Sequence, residues 1–174
     1  MSVEKIAKAI RDIPDFPKPG IIFKDITPLL QDPELFAEII DNIAARYSEK
    51  KPDRIVGVEA RGFIFGAALA YKLGCSFVPV RKAGKLPYKT IKASYELEYG
   101  KATVEIHEDA LNAGDTVLLI DDLLATGGTV SAAADLIKRL DANIIGIEFV
   151  IELGFLNGRE KLGDLPVNSM IIVD

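Results

Sequence analysis

The run VLLIDDLLATGGT, residues 117–129, sets two adjacent carboxylates, Asp121 and Asp122, between an apolar stretch and a short loop of Thr and Gly. Neighbouring carboxylates repel each other and are costly to bury unpaired. They become useful as acceptors for a vicinal diol, such as O2 and O3 of a ribose, or as ligands of a divalent cation. The following loop, Ala125, Thr126, Gly127, Gly128 and Thr129, leads into a helical pattern. Its N–H groups can converge on a phosphate at the positive end of the helix dipole, with the two threonines adding hydroxyl donors. Diol acceptors followed at once by a phosphate cradle describe a ribose-5-phosphate site.

Other phosphate loops fit less well. A Walker A loop requires G-x-x-x-x-G-K-[ST] and a dinucleotide fingerprint requires G-x-G-x-x-G; the chain contains neither. A second basic feature lies upstream. Between residues 81 and 92 stand Arg81, Lys82, Lys85, Lys89 and Lys92 with no acidic residue, a local reversal in a chain of net charge −5. These cations suit an anion-gathering lid next to a strand end.

The elements that must position these groups follow from periodicity. Val3, Ile6, Ala7 and Ile10 predict a short helix through Arg11, followed by an irregular path over IPDFPKPG. Asp32 and Pro33 read as N-cap and first position of a second helix, with Leu35, Phe36, Ile39, Ile40, Ile43 and Tyr47 on its apolar face. Strands are predicted at 54–59, 75–80, 103–107, 116–121 and 143–153, with helices over 62–73 and after Thr129. In the third strand Val104 and Ile106 face one way, and Thr103, Glu105 and His107 the other. Residues 81–100 show no clear period, as in a lid or binding loop. Alternating strands and helices indicate an α/β domain with a mostly parallel central sheet, whose ligands bind beyond the carboxyl ends of its strands.

Length and composition narrow the class. At 174 residues the chain is expected to form one domain, 1–174, with roughly 70% of its unfolded surface buried. The single cysteine, Cys75, leaves no internal disulfide or Cys-x-x-Cys site, and a reducing cytoplasm is the expected compartment. The opening segment mixes charges through its apolar positions, unlike a signal or transit peptide, and no apolar run approaches a membrane span. An acidic balance, with pI near 5.0, argues against nucleic acid as a main partner.

The strand, the acid pair and the T-G-G-T loop together resemble the 5-phosphoribosyl-1-diphosphate (PRPP) signature of the type I phosphoribosyltransferases. FPKPGIIFKDITPLL (16–30), EARGFIFG (59–66) and VRKAGKLPYKTIKASYELEYGKATVEIH (80–107) narrow the likeness to members that take adenine, over essentially the whole chain. The resemblance implies a type I phosphoribosyltransferase fold, with a small N-terminal hood over about 1–30 and a flexible lid over about 81–100. It implies transfer of ribose-5-phosphate from PRPP to N9 of adenine, releasing pyrophosphate, with Mg²⁺ held mainly by the substrate and water rather than by protein ligands. By position, Ala125, Thr126, Gly127, Gly128 and Thr129 would bind the 5-phosphate, and Asp121 and Asp122 the ribose hydroxyls. Arg61, Arg81, Lys82 and Lys85 would bind pyrophosphate. Phe23 and Leu123 would sandwich adenine, backbone groups of Ile22 and Lys24 would read its edge, and Glu105 would be the acid/base residue. A cytoplasmic homodimer is implied, with Arg81 reaching a neighbouring subunit's site.

Two residues depart from the pattern. Lys24 stands where some relatives have arginine, and Ala60 where others have serine. Two alternatives remain open at this level: a 6-oxopurine phosphoribosyltransferase, acting on hypoxanthine, guanine or xanthine, and a non-catalytic PRPP-binding regulator.

Overall fold

The computed structural model describes residues 3–174. In chain order its elements are α1 (Val3–Ala9), β1 (Arg11–Pro14), β2 (Ile22–Asp25), α2 (Thr27–Gln31), α3 (Pro33–Arg46), β3 (Arg54–Val58), α4 (Arg61–Leu73), β4 (Ser76–Lys82), β5 (Thr90–Glu96), β6 (Lys101–His107), β7 (Thr116–Leu124), α5 (Gly128–Arg139), β8 (Asn143–Leu153) and β9 (Val167–Val173). Two short 3-10 turns, Gly154–Leu156 and Gly158–Leu162, precede β9.

The main sheet has strand order β5-β6-β4-β3-β7-β8-β9. Its β4-β3-β7-β8-β9 portion is parallel, and the β5-β6 hairpin extends the β4 edge in antiparallel fashion. The parallel strands are buried on both sides, which is why 117–120 and 147–151 read as near-continuous apolar runs. One face packs α3 and α4 through Ile39, Ile43, Phe65 and Leu69; the other packs α5 through Val130, Ala133, Leu136 and Ile137. Because α4 and α5 leave β3 and β7 toward opposite faces, a crevice opens at the carboxyl ends of these two strands. Among the described residues no helix is long and apolar enough to cross a membrane.

The N-terminal segment is more ordered than its prolines predict. Arg11–Pro14 pairs antiparallel with Ile22–Asp25, and the turn between them is closed by the Gly20 amide donating to Asp15 Oδ1 at 2.8 Å. Residues 81–100 also differ from the aperiodic lid expected. Thr90–Glu96 is a strand whose Ile91, Ala93 and Tyr95 pack toward the α5 side, so irregular backbone is confined to 83–89 and 97–100. Helix α3 begins as predicted, with Asp32 Oδ1 accepting from the amides of Glu34 and Leu35. Replacing Asp32 with Ala should cost about 1 kcal/mol and lower Tm by roughly 2–4 °C, measured by thermal unfolding.

Candidate active site

The two aspartates end up where the crevice opens. Asp121 and Asp122 lie near the carboxyl end of β7, and a cavity of about 290 Å³ is lined there by Asp121, Asp122, Thr129, Glu59, Arg61 and Lys82, among others. Helix α4 presses close to this point: a Cβ on Gly62 would stand 2.9 Å from Asp121 Oδ1 and 3.0 Å from the Ile120 carbonyl. That approach sets Arg61, the first residue of α4, beside the acid pair.

Burial is the dominant influence on both carboxyls. Desolvation, reinforced by the charge of Asp122, raises the Asp121 pKa well above the usual carboxylate range. Desolvation raises Asp122 as well, opposed by the Arg61 guanidinium. Asp121 Oδ1 accepts from the Asp122 amide at 2.8 Å. Arg61 Nε stands 2.8 Å from Asp122 Oδ2, yet its N–H direction misses that oxygen, which is buried and accepts no hydrogen bond. The pair is therefore an incompletely satisfied acceptor set facing a cavity.

The loop after β7 is shaped from both sides. Gly127 takes φ +81° at the N-cap of α5, and no side chain caps the helix, so its first amides stay available. Gly127 and Gly158 approach so closely that a Cβ on Gly127 would lie 2.4 Å from the Gly158 carbonyl. On the other side the Tyr95 ring covers Gly128, where a Cβ would meet it at 2.7 Å, and Thr129 Oγ1 donates to the Tyr95 hydroxyl at 2.8 Å. Sequence reasoning missed both supports, because Tyr95 and Gly158 act on the loop from distant segments.

The cations are gathered by a residue not singled out from sequence, Glu59, at the end of β3. Its carboxylate accepts from the Lys82 amide at 3.0 Å, from Arg81 Nη2 at 3.3 Å and from Lys85 Nζ. Burial pushes its pKa upward, but the bonds from Lys85, the Lys82 amide and Arg81 prevail and hold it at about 2. The signal that could have found it is the one that found Asp121: a carboxylate at the carboxyl end of a central parallel strand.

Arg61 takes up several of the groups assigned to base and sugar. Its guanidinium lies 4.9 Å from the centroid of the Phe23 ring, and Nη1 donates to the Lys24 carbonyl at 3.0 Å, besides its approach to Asp122. Phe23 is half-buried with Phe16 edge-on, Ile22 is exposed, and Leu123 is half-buried against the α3–α4 core.

Glu105 is not brought to the cavity. Val104 lines it, but Glu105, the next residue on the strand, is not among its lining residues and stands in register with Arg81 and Lys92. It is 3% exposed, ion-paired to Lys92 at 3.0 Å, and accepts from the Gly84 amide at 3.2 Å. Burial raises its pKa, but Lys92 and Gly84 outweigh this and leave it below the usual range. A carboxylate so held anchors the 83–89 loop. His107, on the same face, accepts from the Tyr88 amide at 3.4 Å at the other end of that loop.

Comparison with known proteins identifies the family. The model of the phosphoribosyl transferase domain family matches residues 25–168. An adenine phosphoribosyltransferase of Natranaerobius thermophilus is 55% identical over 166 residues, covering 95% of this chain and 97% of the relative. The crystal structure of adenine phosphoribosyltransferase from Thermoanaerobacter pseudethanolicus superposes with a TM-score of 0.95 at 51% identity, covering 99% and 100% of the two chains. That from Saccharomyces cerevisiae, complexed with an imino-altritol bisphosphate and adenine, gives 0.91 at 45% identity over 97% of each chain.

The raised carboxyl of Asp121 has a consequence for stability. The folded state keeps this proton where the unfolded chain, near the usual pKa of about 4, has lost it. The folded state thus binds more protons, and stability falls as pH rises through that window. Asp121→Asn, which can still accept from the Asp122 amide, should match the parent near pH 4 and exceed it in Tm by a few degrees, about 2–4 °C per kcal/mol, at pH 8. Thermal melts across pH 4 to 8 check this.

Proposed function

We infer that this chain, which belongs to the adenine phosphoribosyltransferases within the phosphoribosyltransferase family, transfers the 5-phosphoribosyl group from PRPP to N9 of adenine, giving AMP and pyrophosphate. The observation that carries the reading is one cavity in which Asp121, Asp122 and Thr129 face Arg61, Arg81 and Lys82. It holds diol acceptors, Thr129 at the end of the phosphate loop and a cationic wall, parts that a sugar with a phosphate at one end and a diphosphate at the other requires.

In this reading Ala125–Thr129 bind the 5-phosphate through the uncapped amides of α5, and the acid pair accepts from the ribose hydroxyls. Those hydroxyls supply the hydrogen bonds that Asp122 Oδ2 lacks. Breaking the C1–oxygen bond builds positive charge on the ribose and negative charge on the leaving diphosphate. Arg61, Arg81, Lys82 and Lys85 stabilise the departing charge. For adenine to stack on Phe23, opposite Leu123, and to meet the backbone of Ile22 and Lys24, Arg61 must turn from the Phe23 ring and the Lys24 carbonyl. The same turn carries it to the diphosphate. The 83–89 loop and the β5–β6 hairpin cover the site and keep water from the cationic ribose.

Mg²⁺ suits this donor set. Among the described residues no three His, Cys, Asp or Glu cluster as a closed cage, and Mg²⁺ characteristically keeps water and substrate phosphates in its shell with one or two carboxylates nearby. The ion would be held mainly by the substrate's phosphates and water, and it would neutralise charge developing on the leaving group. The reading also carries a cytoplasmic homodimer acting as one domain over residues 1–174, with the N-terminal hood over the base; Arg81, expected to reach a neighbouring subunit's site, lines the cavity of its own chain and bonds Glu59 there. Lys24 in place of arginine leaves the main-chain contact intact, and Ala60 in place of serine removes one hydroxyl from the diphosphate side. Glu105 serves in this scheme by holding Lys92 and the Gly84 amide, and thus the loop that carries Lys85.

Pyrophosphate release from PRPP and Mg²⁺, assayed with adenine, hypoxanthine, guanine or no base, tests the assignment. Release with adenine alone, matched by AMP, is expected. Release with a 6-oxopurine would overturn the base assignment, and PRPP binding without release under any condition would favour the regulator. Glu105→Gln separates two roles: an anchoring glutamate should leave turnover within several-fold, whereas an acid/base group would cost about 10²–10⁴. Steady-state kinetics at saturating adenine and PRPP read the difference.

A further inference from the structure

The cations expected to hold pyrophosphate are not waiting free in solvent. Arg81 and Lys85 both point their charged ends at Glu59, and the Lys82 amide does the same. Glu59 thus engages two side chains and one backbone N–H at the wall of the cavity with its two oxygens. That is the pattern by which a phosphate group is bound: several donors converging on adjacent acidic oxygens.

Two details set this arrangement apart from a fully satisfied ion-pair network. The Arg81 bond to Glu59 is long, at 3.3 Å, as is its second bond to the Lys85 carbonyl. Its Nε is buried and has no hydrogen-bond partner. A buried guanidinium donor without a partner is costly, and one carboxylate cannot reach all the donors gathered here. A diphosphate carries more charge and more acceptor oxygens than a carboxylate and can satisfy the donors that Glu59 leaves unmet. Lys85, at 46% side-chain exposure, sits on the irregular 83–89 loop and is free to change partners.

We propose that Glu59 is an internal counter-anion that holds Arg81, Lys85 and the Lys82 amide together between turnovers, is displaced by the diphosphate, and recaptures these cations as pyrophosphate leaves. It is a positioning residue, acting on substrate through the groups it holds. The proposal rests on the assignment of these cations to pyrophosphate. It explains why a strongly cationic wall stands next to a carboxylate: without it, the wall would hold its product too tightly. The carboxylate lowers the affinity for free pyrophosphate while keeping the donors in place for the next PRPP.

The test is pyrophosphate binding with Mg²⁺ by titration calorimetry on the whole protein, comparing the parent with Glu59→Gln. Glutamine keeps the shape and one acceptor oxygen but removes the competing charge. Kd for pyrophosphate should fall by roughly five- to ten-fold, the size expected for losing one partly screened charge from such a cluster. Kd for AMP, which engages the 5-phosphate loop and base site, should be unchanged. Unchanged or weaker pyrophosphate binding by the variant would overturn the proposal and leave Glu59 a scaffold residue. A parent protein that binds AMP but no pyrophosphate would instead remove the assignment on which the proposal stands.

A measurement on the parent alone covers a variant that does not fold. Carboxyl-carbon NMR should place the Glu59 midpoint near 2 in the free protein and move it up toward the ordinary glutamate range when pyrophosphate saturates the site. A midpoint that stays low with pyrophosphate bound would show that Arg81 and Lys85 never leave, and the proposal would fail.

Discussion

The structure depends on holding two adjacent carboxylates at the end of a central buried strand. Desolvation opposes ionisation of both Asp121 and Asp122, the charge of Asp122 adds to it at Asp121, and the nearest cation, Arg61, meets Asp122 out of line. Such a site is less stable without ligand than an apolar one of the same shape. The fold supports it through dense packing nearby. Leu118, Leu119 and Ile120, just ahead of the pair, are fully buried and fill both faces of the sheet, while Gly62 brings α4 almost into contact with Asp121. The strain of the site is local, and the core that carries it is not.

The same solution recurs around the cavity. Asp122 is approached by Arg61, Glu59 holds Arg81 and Lys85, and on β6 Glu105 holds Lys92. In an acidic chain, each of these cations is placed beside an internal carboxylate. A polyanionic substrate then competes with protein carboxylates rather than with water. Their positions differ: Glu59 and Asp122 line the cavity, whereas Glu105 is outside its lining and ion-paired to Lys92.

Much of this was legible in sequence where one residue's environment is set by its immediate neighbours. The buried strands announced themselves as apolar runs, the Asp32 cap by its proline, and the acid pair with its glycine loop by chemistry that only an adjacent ligand rationalises. What escaped was decided by pairing across the chain. Strand β5 alternates Ile91, Ala93 and Tyr95 against Lys92, Ser94 and Glu96, but its short pattern is framed by KLPYK and by LEYG, and only β6 makes it a strand. The two short N-terminal strands were hidden likewise, since prolines mask pairing that the partner strand enforces. Glu105 was read on the correct face of its strand, opposite Val104; what the alternation could not supply was its placement outside the cavity lining, against Lys92 and the Gly84 amide.

The phosphate loop shows the same division at finer scale. T-G-G-T identifies a turn that can bind an anion, but its shape is imposed from outside the motif. Gly127 is held against Gly158, Gly128 lies under Tyr95, and Thr129 is tied to the Tyr95 hydroxyl. Tyr95 belongs to the hairpin that also carries Lys92 and Glu105, and that hairpin borders the loop bearing Lys85. In the proposed reading the 5-phosphate end and the diphosphate end of the site therefore share one mechanical support. A ligand that fills both ends would tighten a single element from two sides, which would favour the whole of a doubly phosphorylated sugar over either half.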